Sequence, residues 1–519
     1  MIYFINFGMP DHKPGIEHAE LKRNNLFEKY QTPCQLVVRD WNRTLHMTAN
    51  AAGVDDEHPL SMFESFQEAS HVLPKRVTVS DLDLGLKNLV ITEESDRSRY
   101  LVTRPNKKLV ARVNYDNSQA KQVISTELFD GYNNLYRVDL YDTRGFCSLR
   151  QWYTPDNKIG SEEWLTPTGK SVLRTFYKYD LQNKLVKTSW ILRDKNHEVH
   201  TFDNLDQLFE YFLNRINEKG NNVFVLDRSL LADGALTRLK RPAYTVMHLH
   251  NSQAGDAQDP MNSIVNNNYE YALANLDQYS AVVSATKRQT ADVIKRFDPK
   301  CKMFTIPVGI VSDETFNAKP VLEKDRTFGK VIAVARIAHE KRLDDLVKAI
   351  AIVKQEIPEV TLDIYGYADP SNDYGEKRKV IETIAKMGLD DSVKLKGYKS
   401  ELAPVLDKAQ IFGLTSRMEG FNLAIMEAIS HGVVGVTYDV NYGPNDIVIN
   451  EQNGAVVSYG DYRALAQAMI KLFKDPKLMQ QMSTGAYTSS KRYSSENVWR
   501  AWQALFDDAK QTLKGDVFK

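Results

Sequence analysis

The sequence predicts an α/β chain of two doubly wound domains, with an antiparallel meander inserted in the first. Three observations lead there. Short apolar runs alternate with helical patterns near the N-terminus and through the last three hundred or so residues. Between about 85 and 200 the pattern changes to alternating runs rich in aromatic and β-branched residues, separated by polar turns. The length of 519 residues, at roughly 150 per domain, gives several domains.

Ile2–Phe7 is a buried strand, followed by the loop Gly8-Met9-Pro10-Asp11-His12-Lys13-Pro14-Gly15. A helical pattern runs from about Glu17 to Tyr30, and a second strand covers Gln35–Arg39. Strand, glycine-containing loop, helix and strand open a doubly wound domain. Runs such as Leu135–Tyr141 and Val172–Tyr177, with turns at Asp142–Gly145, Pro155–Lys158 and Pro167–Gly169, give a meander without a definable fixed period. The α/β pattern returns near 205, with strands at Val223–Asp227, Tyr244–His248 and Ala281–Ser284. A connection at 311–328 leads to strands Lys330–Ala335, Thr361–Tyr365, Val393–Lys396, Ile411–Thr415 and Val433–Tyr438, with helices between them. A final helix, about Glu496–Leu513, carries Val498, Trp499, Trp502, Leu505 and Phe506 on one stripe and must pack on something. The expected division is 1–84 with 201–310, the inserted meander 85–200, a second domain 311–495, and the terminal helix 496–519.

Composition narrows the function. The 67 basic and 67 acidic residues balance, which argues against a nucleic-acid binder working by general phosphate neutralisation. No apolar run approaches the roughly 18 residues of a spanning helix. The N-terminus lacks the basic and apolar regions of a signal peptide. Cys34, Cys147 and Cys301 lie far apart and form no CxxC pair; a cytoplasmic protein is expected. Asp81-Leu82-Asp83 has the form of a metal-binding DxD string, but it lies near the meander entrance and reads as a turn.

Chemistry concentrates in the second domain. Arg336 and Lys341 follow a strand and precede a helix, where two cations could hold a diphosphate. Glu419-Gly420-Phe421-Asn422-Leu423-Ala424-Ile425-Met426-Glu427 follows the strand Ile411–Thr415 and leads into a helix. On an ideal helix the two acids are separated by about 12 Å of rise and roughly 80° of rotation, so they point broadly the same way. The amides of Gly420 to Leu423 are the orphan donors of a helix N-terminus, suited to phosphate. Glu427 sits among apolar neighbours and needs a partner, for which a ribose diol serves.

This pattern, Arg336…Lys341 followed by Glu419-x7-Glu427, resembles the signature of family-4 retaining glycosyltransferases of the GT-B architecture, two facing Rossmann-like domains. Tyr365-Gly366, Lys396-Gly397-Tyr398 and Tyr442-Gly443-Pro444 also fit. The resemblance implies that Arg336 and Lys341 hold the donor diphosphate, Glu427 the ribose, Glu419 the transferred sugar, and the stretch around Tyr398 the base. Pro14-Gly15-Ile16-Glu17, the meander and Val246-Met247-His248 sharpen the resemblance to a Gram-positive subgroup. That subgroup holds the accessory Sec system enzymes, which glycosylate serine-rich adhesins, and the wall teichoic acid α-glycosyltransferases. His248 matches the subgroup's active-site histidine by position, and His250, on the same face of an extended segment, is its rival. Two departures stand out. Relatives often carry Gly-Gly in the first loop, where only Gly15 here allows close backbone approach. Many read Glu-Gly-Phe-Gly, where this chain has Asn422, either a hydrogen-bond donor to phosphate or sugar or a helix cap.

The resemblance implies a retaining, metal-independent transfer of a hexose from a UDP-sugar, with glucose favoured and GlcNAc next, and with no cofactor beyond that co-substrate. The acceptor is a serine-rich adhesin glycoprotein or its GlcNAc-bearing form, or else wall teichoic acid. A subunit that only binds and chaperones the adhesin would have no need of the Arg336, Lys341, Glu419 and Glu427 set. The open meander has edges to protect, which suggests a homo-oligomer through it.

Overall fold

The computed structural model describes residues 1–9 and 15–513. They divide into two compact units, one of 1–9 with 33–243 and the other of 15–32 with 244–513. The last part of the first loop, from Pro10 to Pro14, lies outside the described residues.

In the first unit four parallel strands neighbour one another in the order Asn222–Leu226, Ile2–Asn6, Cys34–Val38, Pro59–Ser61. Every residue of Asn222–Leu226 and Ile2–Asn6 is buried, as expected of inner parallel strands. Helix Leu205–Ile216 buries Leu208, Phe209, Phe212 and Leu213, and Asn204 caps it by accepting from the Gln207 amide at 3.0 Å.

The expected meander is a ten-stranded antiparallel sheet from Val90 to Phe202, each strand pairing with the next. It does have a period. From Asp130 onward six hairpins close through one backbone bond from residue i to i+4, at Asp130, Asp142, Thr154, Thr166, Asp180 and Asp194, as an earlier one at Arg104 does. The spacing is therefore twelve residues up to Thr166 and fourteen beyond. The fourth residue of each turn has positive φ: Asn133, Gly145, Asn157, Gly169, Asn183 and His197. A short loop that ends in a left-handed residue suits the twist of antiparallel strands. The varied residues at that position hid the period in the sequence. Within the same unit the sheet is anchored by Trp164, which stacks on Trp190 at 5.3 Å and meets Phe63 at 4.9 Å. Buried Arg144 adds bonds to Glu64 at 2.7 Å and Asp142 at 2.8 Å. Asp81 and Asp83 accept backbone amides of their own turn, from Thr78 and Gly85.

The second unit holds two sets of parallel strands. One set is Lys302–Thr305, Ala281–Ser284 and Ala243–Leu249. The other has six strands in the order Val393–Gly397, Thr361–Tyr365, Lys330–Val334, Ile411–Leu414, Val434–Tyr438, Gly454–Val457. In chain order that is 3-2-1-4-5-6, so the direction of winding reverses between Lys330–Val334 and Ile411–Leu414. Ligands of such sheets bind outside the carboxyl ends of the strands at that reversal. Helices Tyr462–Lys474 and Pro476–Ser490 complete this half.

The final helix, Ser495–Leu513, buries its expected stripe. Trp499, Trp502 and Phe506 meet Phe27 of helix Gly15–Lys29 at 5.3–5.7 Å, and Tyr30 stacks on Trp499 at 4.6 Å. Its Asp508 also accepts from Tyr244 and pairs with Lys302. Among the described residues no helix is long and apolar enough to cross a membrane.

Candidate active site

The two strands that flank the reversal deliver the predicted residues. Lys341 ends a short 3-10 turn after Lys330–Val334, and Glu419 lies in the segment after Ile411–Leu414. Thr415 ties the two together, donating to the carbonyls of Lys341 at 3.0 Å and Arg342 at 2.9 Å. The Arg417 amide adds a bond to the Glu340 carbonyl at 2.7 Å. Gly366 supports the same corner, since a Cβ there would lie 2.0 Å from the Ala335 carbonyl oxygen.

Three donors converge on one oxygen of Glu419. Lys341 Nζ stands 2.8 Å from Oε1, Ser416 Oγ 2.6 Å and Asn422 Nδ2 2.9 Å. The side chains of Lys341 and Glu419 are 17% and 9% exposed, so the pair is largely withdrawn from water. Breaking such a pair on one side typically costs about 3–5 kcal/mol, because the other charge is left behind.

Asn422 does two things at once. It is the N-cap of helix Leu423–Ser430, with Oδ1 accepting from the Ile425 amide at 3.0 Å, while Nδ2 holds Glu419. Its φ is 72°, a left-handed conformation that Asn tolerates better than most residues. The Phe421 side chain is buried and meets Tyr493 at 5.4 Å. It belongs to the core, and only its backbone is placed to meet a ligand. Leu423 begins the helix.

Arg336 does not join this cluster through its side chain. Its guanidinium binds Asp369 at 2.6 Å and Glu340, and is 41% exposed. The two carboxylates of Asp369 and Glu340 share the one guanidinium.

The strand Ala243–Leu249 brings the two histidines. His248 is buried, with its ring 4.0 Å from that of His250 and 6.1 Å from Trp502. They lie on one side of the extended segment, as alternation requires. The His250 amide donates to Tyr269 Oη at 3.0 Å. Its carbonyl meets the other half of the site: a Cβ on Gly420 would sit 1.9 Å from it. Only glycine allows this backbone approach.

Glu427 pairs with Lys22 of helix Gly15–Lys29, a residue that belongs to no motif in the sequence. Beside this pair is a cavity of about 440 Å³, lined among others by Lys22, Asn25, Glu401, Leu402, Met426 and Glu427. Tyr398 follows strand Val393–Gly397 and is 46% exposed. Gly15 is the first residue of its helix, and a Cβ there would meet nothing within 4 Å. Among the described residues no atom packs against this glycine, so its neighbourhood is open.

Comparison with known proteins decides what this site belongs to. Residues 314–489 match the family model of glycosyl transferases group 1. The chain carries a group 1 glycosyltransferase domain. Lys341, Glu419 and Glu427 all fall inside it. This glycosyltransferase is 25% identical to the UDP-N-acetylglucosamine–peptide N-acetylglucosaminyltransferase GtfA subunit of Streptococcus pneumoniae, over 98% of this chain and 99% of that one. It is 28% identical to the poly(glycerol-phosphate) alpha-glucosyltransferase of Bacillus subtilis, over 96% of this chain and 74% of the relative. Among solved structures, pneumococcal GtfA in complex with UDP and GlcNAc aligns over 98% of each chain, with 21% identity and a TM-score of 0.80. TarM of Staphylococcus aureus aligns over 98% of this chain and 99% of its own, with 19% identity and a TM-score of 0.78. The glycosyltransferase therefore has the fold of these GT-B enzymes, with its ten-stranded sheet included in the aligned length.

Proposed function

We propose that the enzyme transfers a hexose from a UDP-sugar to a protein acceptor, a serine-rich adhesin or its GlcNAc-bearing form, with retention of configuration. The observation that carries this is the Lys341–Glu419–Asn422 cluster at the reversal of the six-stranded sheet, facing the His250 backbone. It brings a cation, a carboxylate and a helix N-terminus together.

In this reading the diphosphate lies against Lys341 and the amides of Gly420–Leu423, and Arg336 turns to it from Asp369 and Glu340. Fixed cations and amide donors stabilise the charge that grows on the leaving diphosphate. The set needs no metal. Glu427 accepts the ribose hydroxyls, and the cavity beside it, near 440 Å³, is within the range of small-molecule sites. Tyr398 lies towards the base. Glu419 holds the sugar, and His248 or His250 lies near the reacting carbon. On the front face the acceptor oxygen bonds to the anomeric carbon as the bond to the β-phosphate oxygen breaks. The acceptor proton passes to that departing oxygen.

The protein acceptor is favoured by relatives named for peptide glycosylation that match end to end. The zero net charge suits a long polyanion less well. The teichoic-acid reading rests on the Bacillus subtilis relative. A direct test offers radiolabelled UDP-glucose and UDP-GlcNAc, with EDTA present, to a bare adhesin fragment, a GlcNAc-bearing fragment and a teichoic-acid polymer. Label in an adhesin fragment is expected. Label only in the polymer would overturn the acceptor, and label only without EDTA would overturn metal independence.

A further inference from the structure

We infer that Asn422 and Ser416 are positioning residues that leave Glu419 a single oxygen with which to hold the donor sugar. The inference rests on the proposed sugar-holding role of Glu419 and deepens it. Oε1 of Glu419 already receives Lys341 Nζ at 2.8 Å, Ser416 Oγ at 2.6 Å and Asn422 Nδ2 at 2.9 Å. A carboxylate oxygen offers about two lone-pair directions, so a third donor saturates it. Oε2 receives none of these three donors and is the oxygen available to a sugar hydroxyl.

The three donors come from three places: the turn after one strand, the end of the next strand, and the cap of the following helix. Together they fix the carboxylate plane as well as its charge. Asn422 contributes what a glycine at this left-handed position could not. Its amide spans the Ile425 amide and Glu419, so the helix start and the carboxylate move as one body. Ser416, three residues before Glu419, holds the other side.

Calorimetry with UDP, UDP-glucose and UDP-GlcNAc tests this without an acceptor. Asn422→Gly keeps the backbone conformation and removes the Nδ2 donor. It should weaken UDP-sugar binding about tenfold relative to UDP, because only the sugar meets Glu419. Ser416→Ala should act in the same direction. Asn422→Asp keeps the cap but sets a second carboxylate against Glu419. Two carboxylates so close favour a shared proton. Its UDP-sugar deficit relative to the unsubstituted enzyme should therefore shrink as pH falls from about 7.5 to about 5.5. A residue that only caps the helix would show no such profile. Glu419→Gln serves as the reference. If it loses the preference for UDP-sugar over UDP while all three other variants keep it, the positioning inference is wrong and the role of Glu419 stands. If Glu419→Gln keeps the preference as well, the role of Glu419 falls, and the inference with it.

Discussion

Lys22 and Glu427, 405 residues apart in the chain, form an ion pair in the lining of the cavity beside the site. Each side chain is 31% exposed, so the pair is only partly shielded from water. It ties helix Gly15–Lys29 to helix Leu423–Ser430. A second ion pair, Lys29 with Asp313, also lines this cavity.

A half-exposed pair of this kind is worth at most about 1 kcal/mol. Lys22 therefore competes weakly with a ribose for Glu427. Lys22→Met should tighten UDP binding by up to about fivefold, and raised salt should narrow the difference. Weaker UDP binding by the variant in calorimetry would show instead that Lys22 helps to hold the nucleotide.

Gly420 leaves no room for a side chain beneath the His250 carbonyl. Gly420→Ala should lower stability by about 1–3 kcal/mol, the range for forced overpacking, and should abolish sugar transfer by shifting the helix start that carries Asn422. Thermal unfolding and turnover are read together. A fully active, fully stable Gly420→Ala enzyme would mean that the two backbones do not meet this closely.

His46 stands between Asp56 at 3.0 Å and Glu64 at 2.8 Å, and Arg144 binds the same Glu64. Burial pulls the pKa of His46 down, but the hydrogen bond and charge of Glu64 outweigh it, and the net shift is upward from 6.5. A raised folded-state pKa gives stability that is complete below the unfolded value and is lost as pH rises through the folded one. The melting temperature should thus fall as pH rises above about 6.5. His46→Gln should flatten that slope and cost about 1.5–3 kcal/mol at pH 6, as for hydrogen bonds to charged groups. An unchanged slope would remove His46 as its source.

The edge strand Val90–Glu94 of the ten-stranded sheet exposes Val90 and Ile91 at 47% and 46%. Bare edges invite pairing, and we propose that two copies meet there. Light scattering should give twice the chain mass for the unsubstituted protein and a single mass for Ile91→Lys. A single mass for both would end the proposal.

The sequence made the strand alternation legible because parallel strands buried on both faces are short apolar runs. It made the meander legible because alternation survives in half-buried strands. Strand Pro59–Ser61 and helix Leu45–Asn50 are too short to show a period, and the hairpin spacing was masked by varied turn residues. The acids and cations of the site were legible because they flank strand ends in a fixed order. The sequence allows Asn422 two roles, and the structure shows its cap together with a bond to Glu419. Ser416 and Lys22 carried no signal. One is a common strand-end residue, and the other acquires its partner only through tertiary contact.

In the proposed function this site holds a nucleotide-sugar with Glu427 on the ribose. Calorimetric titration of UDP into the unsubstituted enzyme and Glu427→Ala tests it most directly. Binding weaker by about 1.5–3 kcal/mol is expected, the loss of a hydrogen bond to a charged group. UDP affinity unchanged by the substitution would contradict it.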